Sequence, residues 1–235
     1  MKDIIERLTA EKSSSFEYKN GVYICKREGL SEIRLICQGN KRALTELAPK
    51  YRRSIVCDTD ADISSFTKKT YNLYVCHTLS PKGASGKTKC ASPSDIVEIS
   101  SMISQMLCDS AGIILSTELA KEIAKTNSRD IRLYKDNGIC AMARIAFRGD
   151  KYARINTVFT LKERRGQGYA GALISDMCSE IITQGLIPTV LADTGNEAAN
   201  RLYSSLGFKC EEKIFEYVPQ GYKAYETALT CNSFS

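Results

Sequence analysis

The chain has no tryptophan, five prolines and a single histidine, His77, in 235 residues. One imidazole rules out a histidine-rich metal centre and disfavours a Ser–His or Cys–His catalytic pair. Apolar runs are short. Ala111 to Leu115 is typical and falls far below the ~18 residues that a membrane span needs. The start, Met1-Lys-Asp-Ile-Ile-Glu-Arg, is charged at once and has no apolar segment, so no cleaved secretory signal is expected. None of the ten cysteines stands in a Cys-x-x-Cys pair, so no metal is expected. They read as small buried hydrophobes in a reducing cytoplasm, Cys76 and Cys178 among them.

What is present is ordinary for a globular protein: 43% apolar and 26% charged residues, with a net charge of +6. The mild positive balance suits an anionic ligand. It is too weak and too dispersed to indicate nucleic acid. The length allows one large domain or two small ones.

The stretch Leu79 to Thr88 is rich in Gly, Ser, Lys and Pro and divides the chain. Residues 1–80 read as a small α/β domain. It has strands at Ile33–Cys37, Ser54–Cys57 and Tyr71–His77, and short helices at Lys41–Ala48 and Ala61–Lys68. Residues 81–88 read as a linker, 89–218 as the main domain and 219–235 as a tail. In the main domain, Ser94 is the expected cap of a helix reaching about Leu107, and Thr117 caps a second helix to Lys125. Strands follow at Ile131–Tyr134, Ile139–Phe147 and Tyr152–Thr160, with an Asp136-Asn-Gly138 hairpin turn. A helix over Gly168–Gln184 carries an apolar stripe of Leu173, Ile174, Met177, Cys178 and Ile181. Strand Ile187–Asp193, helix Asn196–Leu206 and strand Phe208–Tyr217 complete the pattern.

Two short motifs carry little. Lys82-Gly-Ala-Ser-Gly-Lys-Thr88 has the look of a phosphate-binding loop, but Pro81 and Ala84 stand where such loops need glycine, and Pro93 and two serines precede the next helix. Arg148-Gly-Asp150 reads as a turn.

Val158-Phe-Thr-Leu-Lys-Glu-Arg-Arg-Gly-Gln-Gly-Tyr-Ala170 is different. A strand feeds a glycine-containing turn, which feeds a helix. The first turn of a helix has unpaired N–H groups and partial positive charge. Gly166 and Gly168 clear side chains from the backbone, and Arg164 and Arg165 add charge. The segment is an anion cradle.

Arg165-Gly-Gln-Gly-Tyr-Ala170 resembles the Arg/Gln-x-x-Gly-x-Gly/Ala signature of the GNAT superfamily of acyl-CoA-dependent N-acetyltransferases. Asn196-Glu-Ala-Ala-Asn-Arg-Leu-Tyr-Ser-Ser-Leu-Gly-Phe208 is similar to the family's second segment, and the order of elements agrees over about Lys87 to Val218. The resemblance departs at Leu161, where close relatives often carry proline. It implies a mixed α/β fold with a mostly antiparallel sheet and helices on both faces. It implies acetyl-CoA as cosubstrate, bound where two strands splay. The main chain of Val158, Phe159 and Thr160 would pair with the pantetheine arm. Arg165, Gly166, Gln167, Gly168, Tyr169 and Ala170 would hold the pyrophosphate, and Asn196 and Asn200 would touch the cofactor. Tyr203 matches the family's general acid, and Asp193 is a candidate base. The implied reaction is direct acetyl transfer to a primary amine of a small molecule or amino acid, in the cytoplasm, with no nucleic-acid or membrane partner. A homodimer, a non-catalytic acyl-CoA sensor and a nucleotide switch on residues 82–88 stay open. Residues 1–80 would be a degenerate half of the same fold, unable to bind CoA.

Overall fold

Asn137 and Gly138 take positive φ (53° and 110°) and turn the chain between two strands, as an Asn-Gly pair is built to do. This hairpin belongs to a computed structural model that describes residues 14–19, 22–27, 33–37, 41–42, 44–46, 55–83 and 87–220. The strands are β1 (Ser14–Lys19), β2 (Val22–Arg27), β3 (Ile33–Cys37), β4 (Ile55–Cys57), β5 (Phe66–Val75), β6 (Thr88–Cys90), β7 (Ile131–Lys135), β8 (Ile139–Arg148), β9 (Tyr152–Thr160), β10 (Ile187–Asp193) and β11 (Lys209–Pro219). The helices are α1 (Ile96–Ala111), α2 (Thr117–Asn127), α3 (Tyr169–Thr183) and α4 (Glu197–Ser205).

All eleven strands lie in one sheet, in the order β1-β2-β3-β4-β11-β5-β10-β9-β8-β7-β6. Among the described strands only β3–β4 and β9–β10 pair in parallel. The sheet is therefore mixed and mostly antiparallel, as expected. The meander β1-β2-β3 followed by parallel β4 repeats the meander β7-β8-β9 followed by parallel β10. Each set then gives its last strand to the other: β5 pairs with β10, and β11 pairs with β4. Residues 1–80 thus supply a central strand to the sheet of the C-terminal part.

Helices cover both faces. On one face the α3 stripe Leu173, Ile174, Met177, Cys178 and Ile181 is fully buried against Ala141, Ala143, Ile145, Ala153 and Ile155. Burying those five side chains supplies roughly 10 kcal/mol of transfer free energy, opposed by the entropy of ordering them. On the other face Ile99, Met102, Ile103 and Met106 of α1 pack with Ala124 of α2 on Ile131, Leu133, Met142 and Phe159.

Three local expectations are corrected. The cap before α1 is Ser92, not Ser94: the Asp95 carboxylate accepts from the Ser92 amide (2.9 Å) and hydroxyl (2.6 Å), and a short 3-10 turn precedes the helix. Ser116 rather than Thr117 caps α2, accepting from the Leu119 amide. Ala61–Lys68 is not a helix. Ser65 turns at φ 79°, and Phe66 to Lys68 pair with Pro219 to Tyr217 as the start of β5. The Tyr217 hydroxyl fixes the approach by accepting from the Ala61 amide (2.7 Å) and donating to its carbonyl (2.9 Å). The tail beyond Gln220 lies outside the described residues, as do residues 43, 47 and 48 of the expected helix Lys41–Ala48, whose other five residues are helical. Of the cysteines with described side chains, Cys57, Cys76, Cys140 and Cys178 are buried, whereas Cys90, Cys108 and Cys210 are exposed. No helix among the described residues is long and apolar enough to cross a membrane.

Candidate functional site

β9 and β10 pair only from Tyr152/Ile187 to Ile155/Val190. Beyond that point residues 156–160 and 191–193 share no ladder, and the two strands part. The cause is local. Thr157 sits at φ 53°, a strained conformation for a β-branched residue, and the β8–β9 register slips on either side of Ile145. The Leu161 amide bonds the Cys140 carbonyl at 3.1 Å, in register with Thr160 opposite Ala141. Antiparallel alternation then turns the main-chain groups of Phe159 toward β8 and those of Val158 and Thr160 toward the open edge. The first half differs: β3 and β4 are paired through Cys37 and Cys57, the last residues of both strands.

The end of β9 runs through a 3-10 turn, Lys162–Arg164, into α3. Gly166 and Gly168 both take left-handed φ (76° and 81°), and a Cβ added at either would meet no atom within 4 Å. The first bond at the helix start joins the Ala172 amide to the Gly168 carbonyl (3.1 Å). The amides of Tyr169, Ala170 and Gly171 therefore have no helical acceptor. The result is an open cradle of donors beside an unpaired strand edge.

The side chains around it are mostly occupied in building it. Arg165 donates through Nε to the Thr160 carbonyl (3.1 Å), lies over the Phe159 ring and reaches Asp109 (3.5 Å). Lys162 also pairs with Asp109 (2.9 Å), and both cations hold that carboxyl below its usual range, Lys162 the more strongly. The Tyr169 hydroxyl lies 3.2 Å from Asp136 and 3.0 Å from Gln167 Oε1, sharing its one proton between the two acceptors, and its ring packs on Tyr134. Lys87 pairs with the same Asp136 (2.8 Å). Asp136 consequently titrates below the usual carboxylate range, first through Lys87 and then through Tyr169.

On α4 the two asparagines differ. Asn196 caps the helix, accepting from the Ala199 amide (3.1 Å), and is exposed. Asn200 accepts from Asn72 (2.8 Å) and Tyr74 (3.0 Å) and donates to the carbonyls of Asp193 (2.8 Å) and Asn196 (2.7 Å). Those four bonds exhaust its amide. Asn200 clamps α4 to β5 and β10, a role the sequence alone does not disclose because Asn72 and Tyr74 are about 130 residues away. Tyr203 is buried between the rings of Tyr74 (5.8 Å) and Phe208 (5.7 Å). Burial, with a smaller contribution from Cys178, pushes its phenol above the ordinary tyrosine range, so it is protonated at neutral pH. Asp193 is spent on the turn before α4, accepting from the Gly195 amide (2.8 Å). An open groove of about 520 Å³ on α4 is lined by Tyr74, Asn200, Arg201, Ser204 and Ser205, none of them from β9 or α3. Among the described residues no His, Cys, Asp or Glu cluster could hold a metal ion.

Comparison with known proteins agrees with the fold. The family model described as FR47-like protein matches residues 133–216. No curated protein matches the chain by sequence. Among solved structures, a GNAT-family protein from Novosphingobium aromaticivorans is 16% identical with a TM-score of 0.62, over 91% of this chain and 94% of that one. A GNAT-family acetyltransferase from Colwellia psychrerythraea is 15% identical with a TM-score of 0.58, over 87% and 84%. A tandem GNAT protein from the clavulanic acid biosynthesis pathway is 12% identical with a TM-score of 0.50, over 94% and 88%. The chain has the fold of the GNAT acetyltransferases, and the FR47-like match at residues 133–216 falls within the stretch, about Lys87 to Val218, whose two motifs resemble that superfamily.

Proposed function

We propose that the chain transfers an acetyl group from acetyl-CoA to a primary amine of a small molecule or amino acid. The observation that carries this reading is the open, glycine-lined start of α3 at the end of an unpaired strand edge. Amides at such a helix start bind phosphate oxygens, and the edge formed by Val158 and the Thr160 amide offers main-chain groups to an extended amide-bearing arm. An amide donor at that edge would polarise the thioester carbonyl. In the reaction the amine nitrogen bonds to the acetyl carbon, the carbon–sulfur bond breaks, the amine loses a proton and the departing thiolate gains one.

Tyr203 is the candidate donor of that last proton: it is protonated, its ring is fixed, and its hydroxyl donates to no other described residue. Arg165 and Asn200 act by positioning the end of β9 and the start of α4. Asn196 keeps its amide NH2 for the cofactor. The seven cysteines with described side chains form no disulfide with one another, which suits a cytoplasmic setting. The repeated strand order supports reading residues 1–80 as a degenerate half of the same fold, and its fully paired β3–β4 ends fit a half that binds no CoA.

Incubation with acetyl-CoA and a panel of amines is expected to release free thiol. Tyr203→Phe should lower kcat by about a hundredfold with KM for acetyl-CoA unchanged. Tight CoA binding without thiol release across a broad panel would instead support the sensor reading.

A further inference from the structure

Residues 76–83 do not hang free between two domains. They form a strap that climbs the groove between α3 and α4. The Cys76 amide bonds the Pro188 carbonyl, and the Ser80 amide bonds the Leu206 carbonyl at the end of α4 (both 2.9 Å). The Lys82 amide then donates to Ser175 Oγ on α3 (2.9 Å). Gly83 lies so close to α3 that a Cβ on it would stand 2.6 Å from Ala172 Cβ. A Cβ on Gly171 would lie 3.9 Å from Lys82 Cβ and 3.6 Å from Leu202 Cδ1, so Lys82 and Leu202 both border α3 at this glycine. Lys87, the next described residue, pairs with Asp136, which also accepts from Tyr169.

We propose that Lys82 is a cationic contact for the phosphate-bearing end of the acyl-CoA cosubstrate, delivered to the cradle by this strap. The inference rests on the acyl-CoA reading of the cradle. Its own support is geometric and electrostatic. Gly171 is three residues, about 4.5 Å of helix rise, from the Gly168 turn, within reach of a lysine's four-carbon stem. Lys87, Lys162 and Arg165 are each committed to a carboxylate around the same helix start. Lys82 is exposed and has no carboxylate partner among the described residues. The glycine next to it, required by φ 81° and by Ala172, lets the strap lie close enough for that reach. The Lys-Gly pair of residues 82–83 would then serve a phosphate after all, without the helix that a nucleotide-binding loop needs.

The test is calorimetric titration of CoA and of dephospho-CoA into the wild type, Lys82→Ala and Lys82→Arg. Lys82→Ala is expected to bind CoA about tenfold more weakly, with the deficit shrinking at high salt and largely restored by Lys82→Arg. A deficit that persists with dephospho-CoA assigns the contact to the diphosphate; one that vanishes assigns it to the 3′-phosphate. Wild-type affinity in Lys82→Ala, with an unchanged Tm, overturns the Lys82 contact and leaves the cradle standing. Absence of CoA binding by the wild type overturns the acyl-CoA reading itself.

Discussion

Burial does two things to Tyr203. It fixes the ring between Tyr74 and Phe208, and it raises the cost of ionising the phenol. A phenol whose pKa is raised on folding stabilises the fold fully below the unfolded pKa, about 10, and loses that contribution as pH rises through the folded value. Tyr217 behaves alike, its pKa pushed up to about 12 chiefly by burial. Stability should therefore fall in alkali above about pH 10. Tyr203→Phe should flatten that fall while leaving stability at pH 7 nearly unchanged, as read by urea unfolding across pH; an identical alkaline slope would show that Tyr203 is not the buried phenol responsible. The tyrosine was legible as a candidate from its place in the second segment. The exhaustion of Asn200 was not, since local sequence does not tell which distant polar groups a side chain will meet.

At the scale of elements, glycine does more than end helices. Gly112 and Gly207 both take left-handed φ after a helix (65° and 93°). Around Gly112 there is open space, whereas a Cβ on Gly207 would collide with the Thr78 carbonyl oxygen of the strap. Gly112→Ala should cost about 1 kcal/mol of conformational strain. Gly207→Ala should cost about 3 kcal/mol or more, because backbone must move as well. Equal costs in chemical denaturation would mean that the strap does not bear on α4. Periodicity made most of these elements readable: the α3 stripe, the hairpin at Asn137-Gly138 and all five strands from β7 to β11. The caps were less so, because Ser92 and Ser94 flank Pro93 and only the reach of Asp95 decides between them. Ala61–Lys68 was misread because the partner that makes Phe66–Lys68 a strand is β11, about 150 residues on.

Over the whole molecule the two halves are interlocked. β5 lies between β10 and β11, and β11 lies between β4 and β5. Composition marks residues 79–88 as a seam, but strand exchange across it is a long-range pairing that no local pattern encodes. Cutting there strips a central strand from the C-terminal piece and an outer partner from β4. Chains spanning 1–80 and 81–235 should each lack cooperative unfolding when alone and regain it when refolded together. Sharp, independent transitions in both would show that the halves are self-sufficient.

The account turns on the space above Gly168, so the most direct measurement is CoA affinity in Gly168→Ala and Gly168→Leu. Both variants carry the same backbone strain at φ 81°, and only leucine extends into the cradle. The account predicts that leucine binds CoA at least about tenfold more weakly than alanine, the loss of one or more charge-assisted hydrogen bonds. Equal affinities in the two variants, by titration calorimetry, would contradict it.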